Sequence, residues 1–163
     1  MNAEVIAIGD ELTSGQRLDT NSQWISQRLG EAGIRVLFHT TVGDELDANA
    51  RVFREAILRA EIVVCTGGLG PTADDLTRQA LSEATGRELR LDDSALEHVR
   101  SLFARRKRGM PQRNRVQAMF PEGSRVIPNP HGTAPGIDLE IVRPGRSPCR
   151  RAGLRGPGGG SAS

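Results

Sequence analysis

From Glu4 to Phe103 short apolar runs alternate with helical periods, and that alternation constrains the fold more than any other feature of the chain. Glu4 to Ile8 (EVIAI), Ile34 to Val42 and Ile62 to Thr66 (IVVCT) are runs of strand length, rich in β-branched residues. Apolar runs of this length suit parallel strands covered on both faces. Between them lie amphipathic stretches. From Thr20 to Ala32, Trp24, Ile25, Leu29 and Ala32 share a face; Thr20 with Gln23 reads as a capping box and Gly33 as a stop. From Glu45 to Ala60 the face is Leu46, Ala50, Phe53, Ile57 and Ala60. A third helix is predicted from about Asp75 to Thr85 on Leu76, Ala80 and Ala84, closed by Gly86. A fourth starts at Ser94, capped with Glu97, on Leu96, Val99 and Phe103. Strand and helix in strict alternation imply right-handed crossovers. The predicted fold is α/β: three layers, α/β/α, around a mostly parallel sheet. Ligands of such sheets bind beyond the carboxyl ends of the strands. The loops after Gly9, Gly43 and Thr66 are therefore the places to look.

Composition narrows the class. The 163 residues suffice for one domain with a sizeable core, and no apolar run approaches the ~18 residues of a membrane span. Neither a leader at Met1 nor a membrane partner is expected. Cys65 and Cys149 make no disulfide framework or zinc-ligand spacing, which fits a reducing cytoplasm. The formal charge of +2 misleads: residues 1–141 hold 17 basic and 20 acidic groups, while 142–163 hold five arginines and no acid. The body gives no reason to expect a nucleic-acid partner. Arg100 to Arg115 carries seven basic residues and no acid, but its lone aromatic, Phe103, belongs to the core face. A solvated helix and arm fits it better than a single-strand platform. Further on, Ser124 to Pro128 and Ile137 to Ile141 read as strands around a Pro/Gly-rich loop, NPHGTAPG.

The densest chemical signal is Thr66 to Thr77, TGGLGPTADDLT. Gly67, Gly68 and Gly70 allow positive φ and a close approach of ligand to backbone. Amides at the start of the next helix can face an anion. No Gly-Lys-Ser/Thr follows, so this is not a P-loop, and the glycine spacing is not that of a dinucleotide fingerprint. Asp74 and Asp75 enter at the helix start. One of them can cap the helix; a Gly-rich turn with an Asp cap is also ordinary strand-to-helix punctuation. Two adjacent carboxylates exceed what capping needs, and a divalent cation shared with ligand phosphates is the functional alternative.

These residues resemble the molybdopterin-binding domain family represented by MogA, MoaB and the middle domain of MoeA. That family shows Thr-Gly-Gly-x-Gly at a strand exit and Asp-x-Thr at the helix start, which Asp75 and Thr77 match. Five ordered blocks narrow the resemblance to its CinA (competence/damage-inducible) branch: residues 3–26, TTVGDE at 40–45, GGLGPTADDLT at 67–77, RGMPQRNRVQA at 108–118 and NPHGTAPGIDLE at 129–140. The resemblance implies a MogA/MoaB-like fold and a site at the strand ends that takes a pterin or a nucleotide through phosphate. It also implies divalent-metal-dependent hydrolysis of ADP-ribose. Many such proteins carry a C-terminal amidase domain, for which these 163 residues leave no room.

On that basis Gly67, Gly68 and Gly70 are expected to turn amides toward a phosphate, and Thr77 to donate a hydroxyl to it. Asp75 is the first choice for a metal ligand or for orienting a water, and Asp74 the second. Glu11 either reaches the same crevice or is a solvated loop acid. Asn21 either reads a ribose or base edge or satisfies its own helix start. Asn129, Gly132 and Thr133 either close over the ligand or form a Pro-bounded turn. The expected ligands are a divalent metal ion and a nucleotide or pterin, molybdopterin included. A non-catalytic molybdopterin-binding module and an inactive fragment are the rival readings, and self-association is expected by analogy alone.

The domain is expected to span 1–141 and to be incomplete. In the tail, 142–163, 14 of 22 residues are Gly, Pro or Arg, so disorder is expected there. The resemblance stops where relatives continue with an apolar strand and a Leu-Pro-Gly-x-Pro-x-Glu loop. The Arg-, Gly- and Pro-rich ending is what an out-of-frame reading of GC-rich DNA yields, which predicts a frameshift near Arg150.

Overall fold

The structure is a computed structural model that describes residues 1–143. The disorder and frameshift expected of the tail concern residues that lie, from 144 on, outside this range. The three predicted strands form one parallel sheet of order β2-β1-β3: β1 is Asn2–Ile8, β2 is Arg35–Val42 and β3 is Ile62–Thr66. A one-turn helix, α1 (Asp10–Thr13), and then α2 (Thr20–Glu31) link β1 to β2; α3 (Leu46–Arg59) links β2 to β3. Alternation along β1 sends Val5 to one face, where Ile25 and Leu29 of α2 cover it together with Val64. Ile6 and Ile8 go to the other, into the main core with Ala50, Phe53 and Ala56 of α3. Three layers follow directly from this two-sided burial.

Beyond β3 come α4 (Thr77–Thr85), β4 (Leu89–Leu91), α5 (Asp93–Arg105) and a 3₁₀ segment, Gln112–Ala118. Two short antiparallel pairs complete the described chain: β4 with β5 (Met119–Pro121), and β6 (Arg125–Ile127) with β7 (Gly136–Asp138). Ile137 and Leu139 enter the same core as Ile6 and Phe53. Among the described residues no helix is long and apolar enough to cross a membrane.

Several local expectations are corrected. α2 is capped not by Thr20 but by Asp19, whose side chain accepts from the Ser22 amide at 3.0 Å. α5 is capped not by Ser94 but by Asp92, which accepts from the Ala95 amide at 2.8 Å. A carboxylate just outside the first turn serves as well as a hydroxyl and also suits the helix dipole. β2 is not covered on both faces. It is the sheet edge and is mostly exposed, with Leu37 at 44% and Phe38 at 38%. Its pairing with β1 skips Leu37, an irregularity of the kind common at edges. His39 is exposed there, with Nε2 2.8 Å from the Ser26 hydroxyl.

Candidate functional site

Three loops leave the carboxyl ends of β1, β2 and β3 on the same side of the sheet, because parallel strands all end there. The loop after β3 is held by its glycines. Gly67 has φ +105°, and a Cβ there would strike the carbonyl oxygen of Ile8, at the end of β1. Gly68 has φ +66°, and its missing side chain leaves room for the Thr77 hydroxyl. Only glycine satisfies both demands. Gly70 needs no positive φ, contrary to expectation. Its role is space, since a Cβ would lie 2.5 Å from Asp75 Oδ2.

Asp75 folds back over this loop. Its carboxylate accepts from the Thr72 amide at 2.9 Å and from the Thr72 hydroxyl. Burial works to raise its pKa, but these bonds, the Gly70 amide and the positive charge of Arg78 outweigh that and hold the carboxyl below its ordinary value. Neither aspartate caps α4: the residue before the helix is Leu76, which makes no side-chain cap. Thr77 is buried, and its hydroxyl donates to the Gly67 carbonyl at 2.8 Å. A hydroxyl has one proton to give, so Thr77 braces the loop rather than donating to a ligand oxygen.

The loops after β1 and β2 interlock. The Asp10 amide donates to Asp44 Oδ2 at 3.1 Å, and the Asp44 amide donates to Asp10 Oδ1 at 2.8 Å. Burial, with the negative charges of Asp10, Glu11 and Asp74, pushes the Asp44 carboxyl up despite the Asp10 amide bond. Asp74 of the glycine loop is thereby within electrostatic reach of Asp44 beyond β2. The Glu11 carboxylate lies back over Gly9, where a Cβ would be 2.6 Å from its Oε2. Asn21 does join this end of the sheet, its side-chain amide donating a long 3.5 Å bond to the Thr66 hydroxyl. Among the described residues no group of three or more His, Cys, Asp or Glu side chains converges as a metal cage.

The second loop is partly self-contained. The Asn129 side chain bonds within it, donating to the Ala134 carbonyl at 3.0 Å and accepting from the His131 amide at 3.1 Å. Gly132 makes room for that side chain. The Pro-bounded turn thus accounts for Asn129 and Gly132. Thr133 instead accepts from Gln117 Nε2 at 3.0 Å. Arg78, fully buried, ties this assembly to the glycine loop: Nη1 donates to the Leu69 carbonyl at 2.7 Å and Nη2 to the Gln117 carbonyl at 3.3 Å. Burial pushes its pKa down to about 10, opposed by the charge of Asp75.

Asp10, Asp44, Arg78, Asn114 and Gln117 were missed in the sequence. A signal existed for the first two, because Gly-Asp-Glu ends both the first and the second strand. None existed for Arg78, since a basic residue in the first turn of a helix ordinarily reads as solvated. Cys65 is a buried core residue; burial pushes its thiol up to about 12.

Residues 4–148 match the family described as the probable molybdopterin binding domain, an interval that runs past residue 141. A putative competence-damage inducible protein of Geobacillus sp. (strain WCH70) is 46% identical over 141 residues, 86% of this chain and 34% of that protein. A CinA-like protein of Dictyoglomus thermophilum is 46% identical over 140 residues, again 86% of this chain and 34% of that one. The chain thus spans about a third of the length of these curated relatives. Among solved structures, CinA of Thermoplasma acidophilum, a protein of unknown function, superposes with a TM-score of 0.84 at 32% identity, covering 93% of this chain and 86% of that one. The molybdopterin biosynthesis enzyme MoaB of Thermus thermophilus shares the fold at a TM-score of 0.54 and 19% identity, over 84% of this chain and 72% of its own. With glycine loop, sheet order and sequence in agreement, the chain belongs to the molybdopterin-binding domain family and, within it, to the CinA-like proteins.

Proposed function

We propose that this domain binds a phosphate-bearing nucleotide or pterin at the carboxyl ends of its strands, and that in the complete protein the site cleaves the pyrophosphate of ADP-ribose with a divalent metal. The observation that carries the reading is the loop 67–77. Its positive-φ glycines bring bare backbone to the strand ends, and its Asp74 lies within electrostatic reach of Asp44. Backbone amides without side chains in the way are suited to phosphate oxygens.

The donor set fits a Mg²⁺-type ion, which keeps several waters and takes one or two carboxylates plus ligand phosphates. It does not fit a closed all-protein cage. Asp74 and Asp75 are the residues that would hold the ion. Bound, it would neutralise charge on the pyrophosphate and supply an activated water. The chain's own residues do the rest. Thr77 and Gly67 fix the loop, Asn21 meets it at Thr66, and Asp10 and Asp44 lock the two neighbouring loops to each other.

A second reading, binding of molybdopterin without turnover, is favoured by the engagement of Asp75 with Thr72, which leaves that carboxylate bracing the loop. ADP-ribose hydrolysis with Mg²⁺ or Mn²⁺ separates the two. Turnover that collapses in Asp74→Asn or Asp75→Asn supports cleavage. Pterin binding with no turnover supports the module. Turnover indifferent to both substitutions refutes the assignment of the aspartates.

A further inference from the structure

The 3₁₀ segment Gln112–Ala118 carries two buried carboxamides, Asn114 and Gln117. Polar side chains are costly to bury without partners, and here they partner each other. Asn114 Nδ2 donates to Gln117 Oε1 at 2.9 Å. On its other side Gln117 Nε2 donates to Thr133 Oγ1 at 3.0 Å. Thr133 therefore spends a lone pair inside the protein and keeps its single proton. It is half-buried, at the rim of the 129–134 loop, and the neighbouring Asn129 side chain is already used within that loop. What this pairing presents at Thr133 is a hydroxyl whose proton is left over for a ligand. The same Gln117 offers its main-chain carbonyl to Arg78, which also holds Leu69 of the glycine loop. Two carbonyls from two separate loops sit on one guanidinium fork, and a fork fixes relative orientation as a point charge does not.

We propose that Thr133 is a ligand-binding, specificity-determining residue that donates to a hydrogen-bond acceptor on the non-phosphate part of the ligand, and that Arg78 is the positioning residue that holds it in register with the glycine loop. The proposal rests on the ligand site proposed above. It deepens that site into a two-point one. Phosphate oxygens are taken at residues 67–70, and a neutral acceptor, such as a ring carbonyl, a ring nitrogen or a sugar oxygen, is taken at Thr133.

Two probes of different length test it: inorganic pyrophosphate, which engages the glycine loop alone, and ADP-ribose, which spans both points. Affinities are measured by calorimetry with Mg²⁺ present. Thr133→Val is expected to weaken ADP-ribose binding about threefold to tenfold, the worth of one hydrogen bond, and to leave pyrophosphate unchanged. Thr133→Ser, which keeps the hydroxyl, is expected to restore binding. Arg78→Lys keeps the charge but loses the fork, and is expected to weaken ADP-ribose more than pyrophosphate. Should Arg78→Lys not fold, Thr133→Val and Thr133→Ser still decide the matter at a half-exposed position. Equal affinities in wild type and Thr133→Val, or equal losses for both probes, overturn the inference while the site stands. A wild-type chain that binds neither probe refutes the site itself, and the inference with it.

Discussion

Gly67→Ala probes the join between the sheet and the candidate site. The residue lies at φ +105°, and its Cβ would meet the main-chain oxygen of Ile8, which cannot rotate away. A non-glycine residue in a sparsely populated backbone region costs about 1–3 kcal/mol. Forcing atoms into a packed place costs about 1–3 kcal/mol more. The sum, about 2–6 kcal/mol, is a large part of a typical total of about 5–15 kcal/mol. Gly86→Ala is the matched control. Its φ is +67°, also left-handed, but nothing lies within 4 Å of the added Cβ. That variant carries the strain without the collision, about 1–2 kcal/mol. With a urea m-value of about 2 kcal/mol/M, a further 2 kcal/mol separates the two midpoints by about 1 M. Urea unfolding followed by circular dichroism reads this directly. Coincident midpoints for Gly67→Ala and Gly86→Ala would refute the close packing of the glycine loop against the end of β1.

Two further outcomes follow from the same geometry. Asp75 has a folded pKa below its unfolded value, so its contribution to stability is present above the unfolded pKa and lost as pH falls through the folded one. Between roughly pH 5 and pH 2, wild type should lose stability more steeply than Asp75→Asn in urea titrations, and equal slopes would contradict the bracing role. Glu4 is fully buried on β1 and receives the Arg59 guanidinium at 2.6 and 2.8 Å and the Thr40 hydroxyl at 2.6 Å. Arg59→Met leaves that carboxylate with a single donor and should cost about 1.5–3 kcal/mol. Adding Glu4→Leu should recover most of it in the same unfolding assay; a double variant no more stable than Arg59→Met would show that the pair is not what holds this corner.

The parts of the fold that depend on apolar spacing were legible in the residues. β3 falls on Ile62–Thr66 as read, and α3 buries Ala50 and Phe53 on the predicted face. Gly86 closes α4 in the left-handed conformation expected of it. Caps were less legible, because Asp19 and Asp92 sit one step outside helices that also begin near a plausible Thr or Ser. The exposure of β2 was hidden for a different reason. Whether a β-branched run is central or at an edge depends on strand order, which local spacing does not encode. At the site, the glycine loop announced itself, but the use of its groups did not. The Thr77 proton goes to Gly67, Asp75 turns back on Thr72, and a buried Arg78 joins segments far apart in the chain. The first two are contacts within one loop, whose geometry spacing alone does not give, and the third is set by tertiary packing.

The most direct measurement is an amide NMR titration of the chain with ADP-ribose and Mg²⁺. The largest shifts are expected on Gly67, Gly68, Gly70 and Thr72, with a second set at 131–134. Binding that leaves those amides unmoved, and shifts others such as those of the exposed strand Arg35–Val42, would contradict the proposed site.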